Sequence, residues 1–515
     1  MAQLNKSQAA VLAVCLSLVA MGANAQTMTA YVDANISSAS CATYSAETRS
    51  CGAGSATAYR TLAGAASAAG PGAVIEVRGG TYREALNPTR SGAAGQPIVF
   101  RRYGNETPTI TGVDIGMTFI NREHIEVDGF TVTDVNGWAR LQDSRYITLR
   151  NSTFRRAAAG GTTGSIKLVR ATYNRILDNV IEDGNDNVTF MDASDRNVVE
   201  GNQISVGRHS LLSVRCSSFN VFRSNTFSNP SQKAIEIYDC EGVGSDNPVR
   251  FDATKRNLFE LNEVIRTRAS SKDNDYNGIQ HAAQYTIVRR NLFRNNEGGG
   301  VNYQEYADEA RYVYGNRMYH NTFYANRCHA IIGDRGTSNY RDQRVKNNLL
   351  YKNVDCSGGA TQIRIPDTRA VILTDNAIET SNPGFMNEAA NDFRLVSGSR
   401  MIDAAAPLTN TASAGSGTSL VVQDASYFYA GNGAPGEVGD TIQFMGRPDT
   451  AVITAIDYAT NTLTLNRALT WSSGEGVTLR YSGSAPDMGA YEYGSSSGAE
   501  TQAPRPPTNL RIVSQ

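Results

Sequence analysis

The 515-residue chain has almost no excess of either charge: 48 Lys and Arg stand against 49 Asp and Glu, a net charge of −1. That balance excludes a basic nucleic-acid-binding protein and an acidic solvating tail. Tryptophan (2), histidine (5) and proline (15) are scarce, whereas glycine (47) is abundant, which favours a turn-rich β protein. There is no phosphate-binding Gly-x-x-x-x-Gly-Lys loop, no dinucleotide glycine fingerprint, no His-Glu-x-x-His and no Gly-x-Ser-x-Gly. No nucleotide or flavin cofactor is therefore implied. With 40% hydrophobic and 19% charged residues the chain has enough apolar content for a sizeable core.

The N-terminus carries the marks of an export signal over residues 1–25. Lys6 supplies the charge, Ala9 to Met21 is apolar, and Ala23-Asn24-Ala25 is an A-x-A cleavage site. The apolar stretch is short for a bilayer and no other segment qualifies, so no membrane span is expected. The mature chain is expected to start at Gln26, to be secreted or periplasmic, and to be monomeric. Six cysteines remain after removal of Cys15, an even number that suggests pairs in an oxidising compartment.

What the chain has in quantity is a repeat. Tyr173-Asn174-Arg175-Ile176-Leu177-Asp178-Asn179, Arg196-Asn197-Val198-Val199-Glu200-Gly201-Asn202, Phe219-Asn220-Val221-Phe222-Arg223-Ser224-Asn225 and Arg256-Asn257-Leu258-Phe259-Glu260-Leu261-Asn262 share the form x-Asn-apolar-apolar-x-x-Asn, with Arg175 the polar exception. Weaker copies end at Asn291, Asn321, Asn348 and Asn376. Short β runs at this period mean a solenoid, whose coils bury their inner faces by stacking. The second Asn of each copy is expected at a tight corner, where it tolerates left-handed backbone angles and stacks along the axis.

The pattern resembles the right-handed parallel β-helix of the pectin-lyase-like superfamily. The resemblance covers roughly residues 28–410 and 483–493 and includes a short capping helix in Tyr59 to Gly70 and the closing run Pro486-Asp487-Met488-Gly489-Ala490-Tyr491-Glu492-Tyr493. The expected fold is all-β: a parallel β-helix over 26–413, a small hairpin module over 414–482, a closing strand over 483–493 and a flexible tail over 494–515. One-coil separations predict disulfides Cys216–Cys240 and Cys328–Cys356, with Cys41–Cys51 as a local third.

On such a fold the outward rows carry function. The resemblance to chondroitinase-B/alginate-lyase-like and pectate-lyase-like enzymes implies a secreted lyase cleaving an acidic, uronate-containing polysaccharide by β-elimination. That reaction needs a cation at the uronate carboxylate and a base for the C5 proton. Arg215, Lys233, His281 and His209 are the candidate catalytic residues. Arg208, Lys167, Tyr303, Glu305 and Arg335 are candidate substrate contacts. Glu236, Asp239 and Asp192 are candidate Ca²⁺ ligands. Arg215 stands where the chondroitinase-B/alginate-lyase pattern has a Lys. The run 206–233 holds Arg208, Arg215, Arg223 and Lys233 with no carboxylate, a positive strip for a uronate or sulfated polymer. A glycoside hydrolase using paired carboxylates, or a non-catalytic glycan-binding protein, are the competing readings.

Overall fold

The computed structural model describes residues 29–158, 166–238, 254–267, 277–303, 313–333, 340–365 and 370–494. The chain winds into a parallel β-helix. Three sheets run along its length, with 16, 12 and 10 strands, and nearly every pairing within them is parallel and joins one coil to the next. We call them the first, second and third sheets. Strands of two to six residues are too short to stand alone; each coil is stabilised only by its neighbours.

Alternation within each strand builds the core. In the first sheet the inward row runs Phe100, Val127, Leu149, Ile176, Val199, Phe222, Phe259, Val288, Met318 and Val345, each in register with the next. All are buried, and Phe222 and Phe259 stack with centroids 4.5 Å apart. Helix α1, Leu62–Ala68, closes the open first coil. Thr61 caps its N-terminus, and Leu62, Ala65 and Ala66 are buried.

The corner asparagines stack as the repeat predicts. The Asn179 amide donates to Asn202 Oδ1 at 3.0 Å, Asn202 to Asn225 at 3.0 Å and Asn225 to Asn262 at 3.1 Å; the ladder continues through Asn291, Asn321 and Asn348 to Asn376. The first Asn of each copy forms a second ladder, Asn174–Asn197–Asn220–Asn257. Their backbone role differs from the expectation. The left-handed angle falls on the residue before each Asn: Asp178 (φ 53), Gly201 (φ 70), Ser224 (φ 54) and Leu261 (φ 57). The Asn is selected because its amide serves backbone groups that the corner leaves unpaired: Asn202 Oδ1 accepts from Asn179 N at 2.9 Å, and its Nδ2 donates to Ile176 O at 2.8 Å.

The segment read as hairpins forms a six-stranded antiparallel sheet from Thr409–Asn410 to Gly476–Leu479. It is not a pendant. Val198, Val221, Leu258 and Ile287, the outward row of the first sheet, join its apolar core with Leu420, Phe428, Ile442 and Phe444. Buried charges fasten the edge: Arg223 bonds Glu260 and Glu437, and Arg289 bonds Glu260 and Asp440, all at 2.6–2.7 Å. Cys41–Cys51 and Cys328–Cys356 are disulfides. Cys216 is also disulfide-bonded; Cys240, its expected partner, lies outside the described residues, as do the signal segment and residues 495–515.

Candidate functional site on the third sheet

The small module covers part of the first sheet, and the outer face of the third sheet carries the most one-sided charge. Its ten strands begin with Ile115–Ile120 and end with Ile363–Arg364. Their charged side chains are unbalanced: Arg140, Lys167, Arg215, Lys233 and Arg364 face a single carboxylate, Glu236. The twelve strands of the second sheet lean the other way, with Arg155, Arg156 and Arg294 against Asp134, Glu182, Asp183, Glu263 and Glu379.

The outward row is fixed by register: Thr118, Arg140, Lys167, Thr189, Ser213, Glu236, Gln280 and Asn302. At the leading edge of this row a compact polar cluster forms. His209 Nδ1 lies 2.8 Å from Asp186 Oδ1 on the preceding coil and 3.8 Å from Glu236 Oε2 on the following one. Ser210 Oγ donates to Glu236 Oε2 at 3.0 Å, and Lys233 Nζ donates to Glu236 Oε1 at 2.6 Å. The Asp186 carboxylate raises the His209 pKa above the usual histidine value, opposed by burial and aided by Glu236. The imidazole is 38% exposed, whereas Glu236 is 2% exposed. Among the described residues the His209 Nε2 has no hydrogen-bond partner. A histidine held by a carboxylate at one nitrogen and open at the other is equipped for proton transfer.

The structure relocates several sequence candidates. His281 was expected to face outward on the coil after Glu236; it faces inward. Gln280 holds the register position opposite Glu236, so its neighbour must point into the core. His281 sits between Ile237 and Tyr303, fully buried, with both ring nitrogens unpartnered, and burial lowers its pKa to about 4. It serves the core. Tyr303 is corrected for the same reason: Asn302 takes the outward position, and the Tyr303 ring is fully buried 5.5 Å from His281.

The expected positive strip comes apart. Arg208 bonds Asp183 at 3.0 Å, Lys233 bonds Glu236, and Arg223 lies on the first sheet beneath the module. Arg215 does remain on the third sheet, in register with Tyr238 and 5.5 Å from its ring, and makes no ion pair among the described residues. It is nevertheless not part of the His209 cluster. The two residues bracket the strand Ser210–Arg215, about 20 Å of extended chain. A single-sugar subsite holding both is excluded.

Of the calcium candidates, Asp192 ends the strand Val188–Met191 with Arg170 as its nearest cation, 3.9 Å away, and does not join Glu236. Asp239 lies outside the described residues, as do Glu305 and Arg335. Among the described residues no group of three His, Cys, Asp or Glu could hold a metal. Lys167 stays on the face, and burial together with the charge of Arg140 lowers its pKa.

Asp186 is not among the candidates read from the sequence. A usable signal was there: Asp186 precedes His209 by 23 residues, one period of the repeat at that point.

Comparison with known proteins agrees with the fold. A family model described as right handed beta helix region matches residues 116–253. The uncharacterized protein YwoF of Bacillus subtilis (strain 168) is 36% identical over 86 residues, which is 15% of this chain and 18% of that protein. The match thus spans under a fifth of that relative. Among solved structures, pectate lyase Pel9A is similar over 90% of this chain and 96% of its own, with 13% identity and a TM-score of 0.46. The GH136 lacto-N-biosidase from Eubacterium ramulus is similar over 68% of each chain, with 12% identity and a TM-score of 0.47. A rhamnogalacturonan lyase is similar over 70% and 90%, with 14% identity and a TM-score of 0.43. These likenesses concern the fold; the chemistry of this chain rests on its own residues.

Proposed function

We propose that the protein is an exported lyase that cleaves a uronate-containing polysaccharide by β-elimination at the His209 edge of the third sheet. The observation that carries this reading is the charge on that face: five cations against one carboxylate, bordering a histidine clasped by Asp186. A face so composed attracts a polyanion. His209 Nε2 takes the C5 proton, the C4–O4 bond breaks as the C4=C5 double bond forms, and the imidazolium returns the proton to the leaving O4. Lys233, an ammonium held 2.6 Å from a buried carboxylate, acts as a cation at the uronate carboxylate and not as a base. Asp186 fixes the imidazole and favours its protonated form after the transfer. Lys167 and Arg215 are placed to hold carboxylates of sugars further from the one at His209. The two disulfides agree with an oxidising destination. Among the described residues no helix is long and apolar enough to cross a membrane.

The hydrolase reading is weaker on this geometry. It needs two carboxylates, one of them protonated near neutral pH. Among the described residues the two carboxylates of the cluster are already engaged, Glu236 with Lys233 and Ser210 and Asp186 with His209.

The test is a screen of acidic polysaccharides, read in parallel by ultraviolet absorbance of the unsaturated product and by reducing ends. Absorbance with one of them, lost at least a hundredfold in His209→Ala, supports the lyase. Reducing ends without absorbance refute it in favour of hydrolysis. Polymer binding with neither signal refutes cleavage altogether.

A further inference from the structure

Arg140 and Lys167 stand side by side on the outer face of the third sheet, in register on strands Gly137–Gln142 and Ile166–Val169. Adjacent parallel strands are about 4.8 Å apart, so the two cations repel. At several other places on this helix an outward cation is met by a carboxylate one coil away. Arg101 has Glu76, Arg150 has Glu126, Arg170 has Asp143 and Arg223 has Glu260. Here the row supplies Thr118 on one side and Thr189 on the other. Among the described residues neither cation makes an ion pair; Arg140 donates to the Gln142 side chain, and Lys167 has no hydrogen bond. Thr189, next to Lys167, is 5% exposed and its hydroxyl is unpartnered. A repulsive pair beside an unsatisfied hydroxyl carries a free-energy cost that an anion with hydrogen-bonding oxygens would remove.

We infer that Arg140 and Lys167 form a second anion subsite, which grips a carboxylate or sulfate of an acidic polysaccharide several sugars away from the one at His209. Three coils separate Lys167 from Glu236, about 14 Å. A polymer held at both points lies across the third sheet with its direction fixed. The inference rests on reading this face as the polymer site, but not on which reaction occurs there.

The experiment uses the full chain and Arg140→Gln, Lys167→Gln, the double variant and Lys167→Arg. Binding is measured by titration calorimetry at several salt concentrations. The probes are hexasaccharides of polygalacturonate and alginate, a chondroitin sulfate hexasaccharide and neutral cellohexaose; unsaturated product is assayed separately. Thermal unfolding midpoints, expected to match wild type because both side chains point outward, verify folding. The double variant should weaken acidic hexasaccharide binding about tenfold or more, with a shallower salt dependence, and Lys167→Arg should retain it. Loss confined to the uronates, or confined to the sulfated sugar, supports the subsite and names its anion. Acidic binding kept within twofold by the double variant overturns the subsite while leaving the lyase reading intact. Wild-type chain that binds none of the acidic probes overturns it too. Absent product with binding still lost in the variants refutes the lyase and upholds the subsite.

Discussion

Asp186 and His209 occupy the same corner of successive coils, 23 residues apart in sequence and 2.8 Å apart at Oδ1 and Nδ1. The relationship has a measurable consequence. Asp186 raises the His209 pKa, so the imidazole sheds its proton only above the usual histidine value near 6.5. As a base His209 must be neutral, so kcat/KM should climb with pH through an apparent pKa above 6.5. Asp186→Asn should move that acidic limb to lower pH and reduce turnover, because the ring also loses its orienting partner. A pH–rate profile, paired with an NMR titration of His209, checks both.

Glu236 acts on the same imidazole from 3.8 Å, and its influence ranks below that of Asp186. Glu236→Gln should therefore shift the limb in the same direction by less. Equal or larger displacement than in Asp186→Asn would show that the ranking is reversed. Lys233→Met should lower turnover by roughly a hundredfold if the ammonium neutralises the uronate; unchanged turnover would remove it from the reaction.

His281 predicts an acid weakness of the core. Its folded pKa of about 4 lies below the unfolded value near 6.5, so the unfolded chain binds the proton more readily. Stability from this residue is complete above 6.5 and is lost as pH falls towards 4. His281→Phe keeps a ring beside Tyr303 and removes the titrating group. The variant should be more stable than wild type at pH 5, by about 1–2 kcal/mol, with little difference at pH 8. Denaturant melts at the two pH values decide it.

The small module should behave as part of the helix. Asp440→Ala removes two bonds to the buried Arg289 guanidinium and one from Tyr429 N. The expected cost is about 3 kcal/mol or more, since a buried charge loses its partner. One cooperative transition, shifted to lower denaturant, is the outcome sought by denaturation followed with two probes. A separate early transition of the module would contradict the integration.

Asn202→Ala interrupts the corner ladder and strands the buried Asn179 N–H. About 2–4 kcal/mol should be lost, whereas an Asn105→Ala change at an exposed turn should cost less. Comparing the two by thermal melts separates ladder bonding from ordinary turn preference.

The amino-acid sequence by itself determined the winding. The x-Asn-apolar-apolar-x-x-Asn copies place one apolar residue inward and one Asn at each end of a short strand, and these are local choices that neighbouring coils only repeat. The capping helix and the Cys41–Cys51 and Cys328–Cys356 pairs follow from the same local spacing. The repeat even held an unread clue to the module. Arg175, its one polar exception, shares its outward register position with Val198 on the next coil, and the apolar residues from Val198 to Ile287 are those that the module covers.

The tertiary structure alone decided which candidates meet. With a side-chain period of two, one residue separates a surface Gln280 from a core His281, and no composition argument fixes that register. Charge neutrality over the whole chain concealed a segregation that exists only once strands are sorted into sheets, with cations on the third and carboxylates on the second. Arg215 and His209 are six residues apart in sequence, about 20 Å in an extended strand, whereas Asp186 lies one coil away and 2.8 Å from His209.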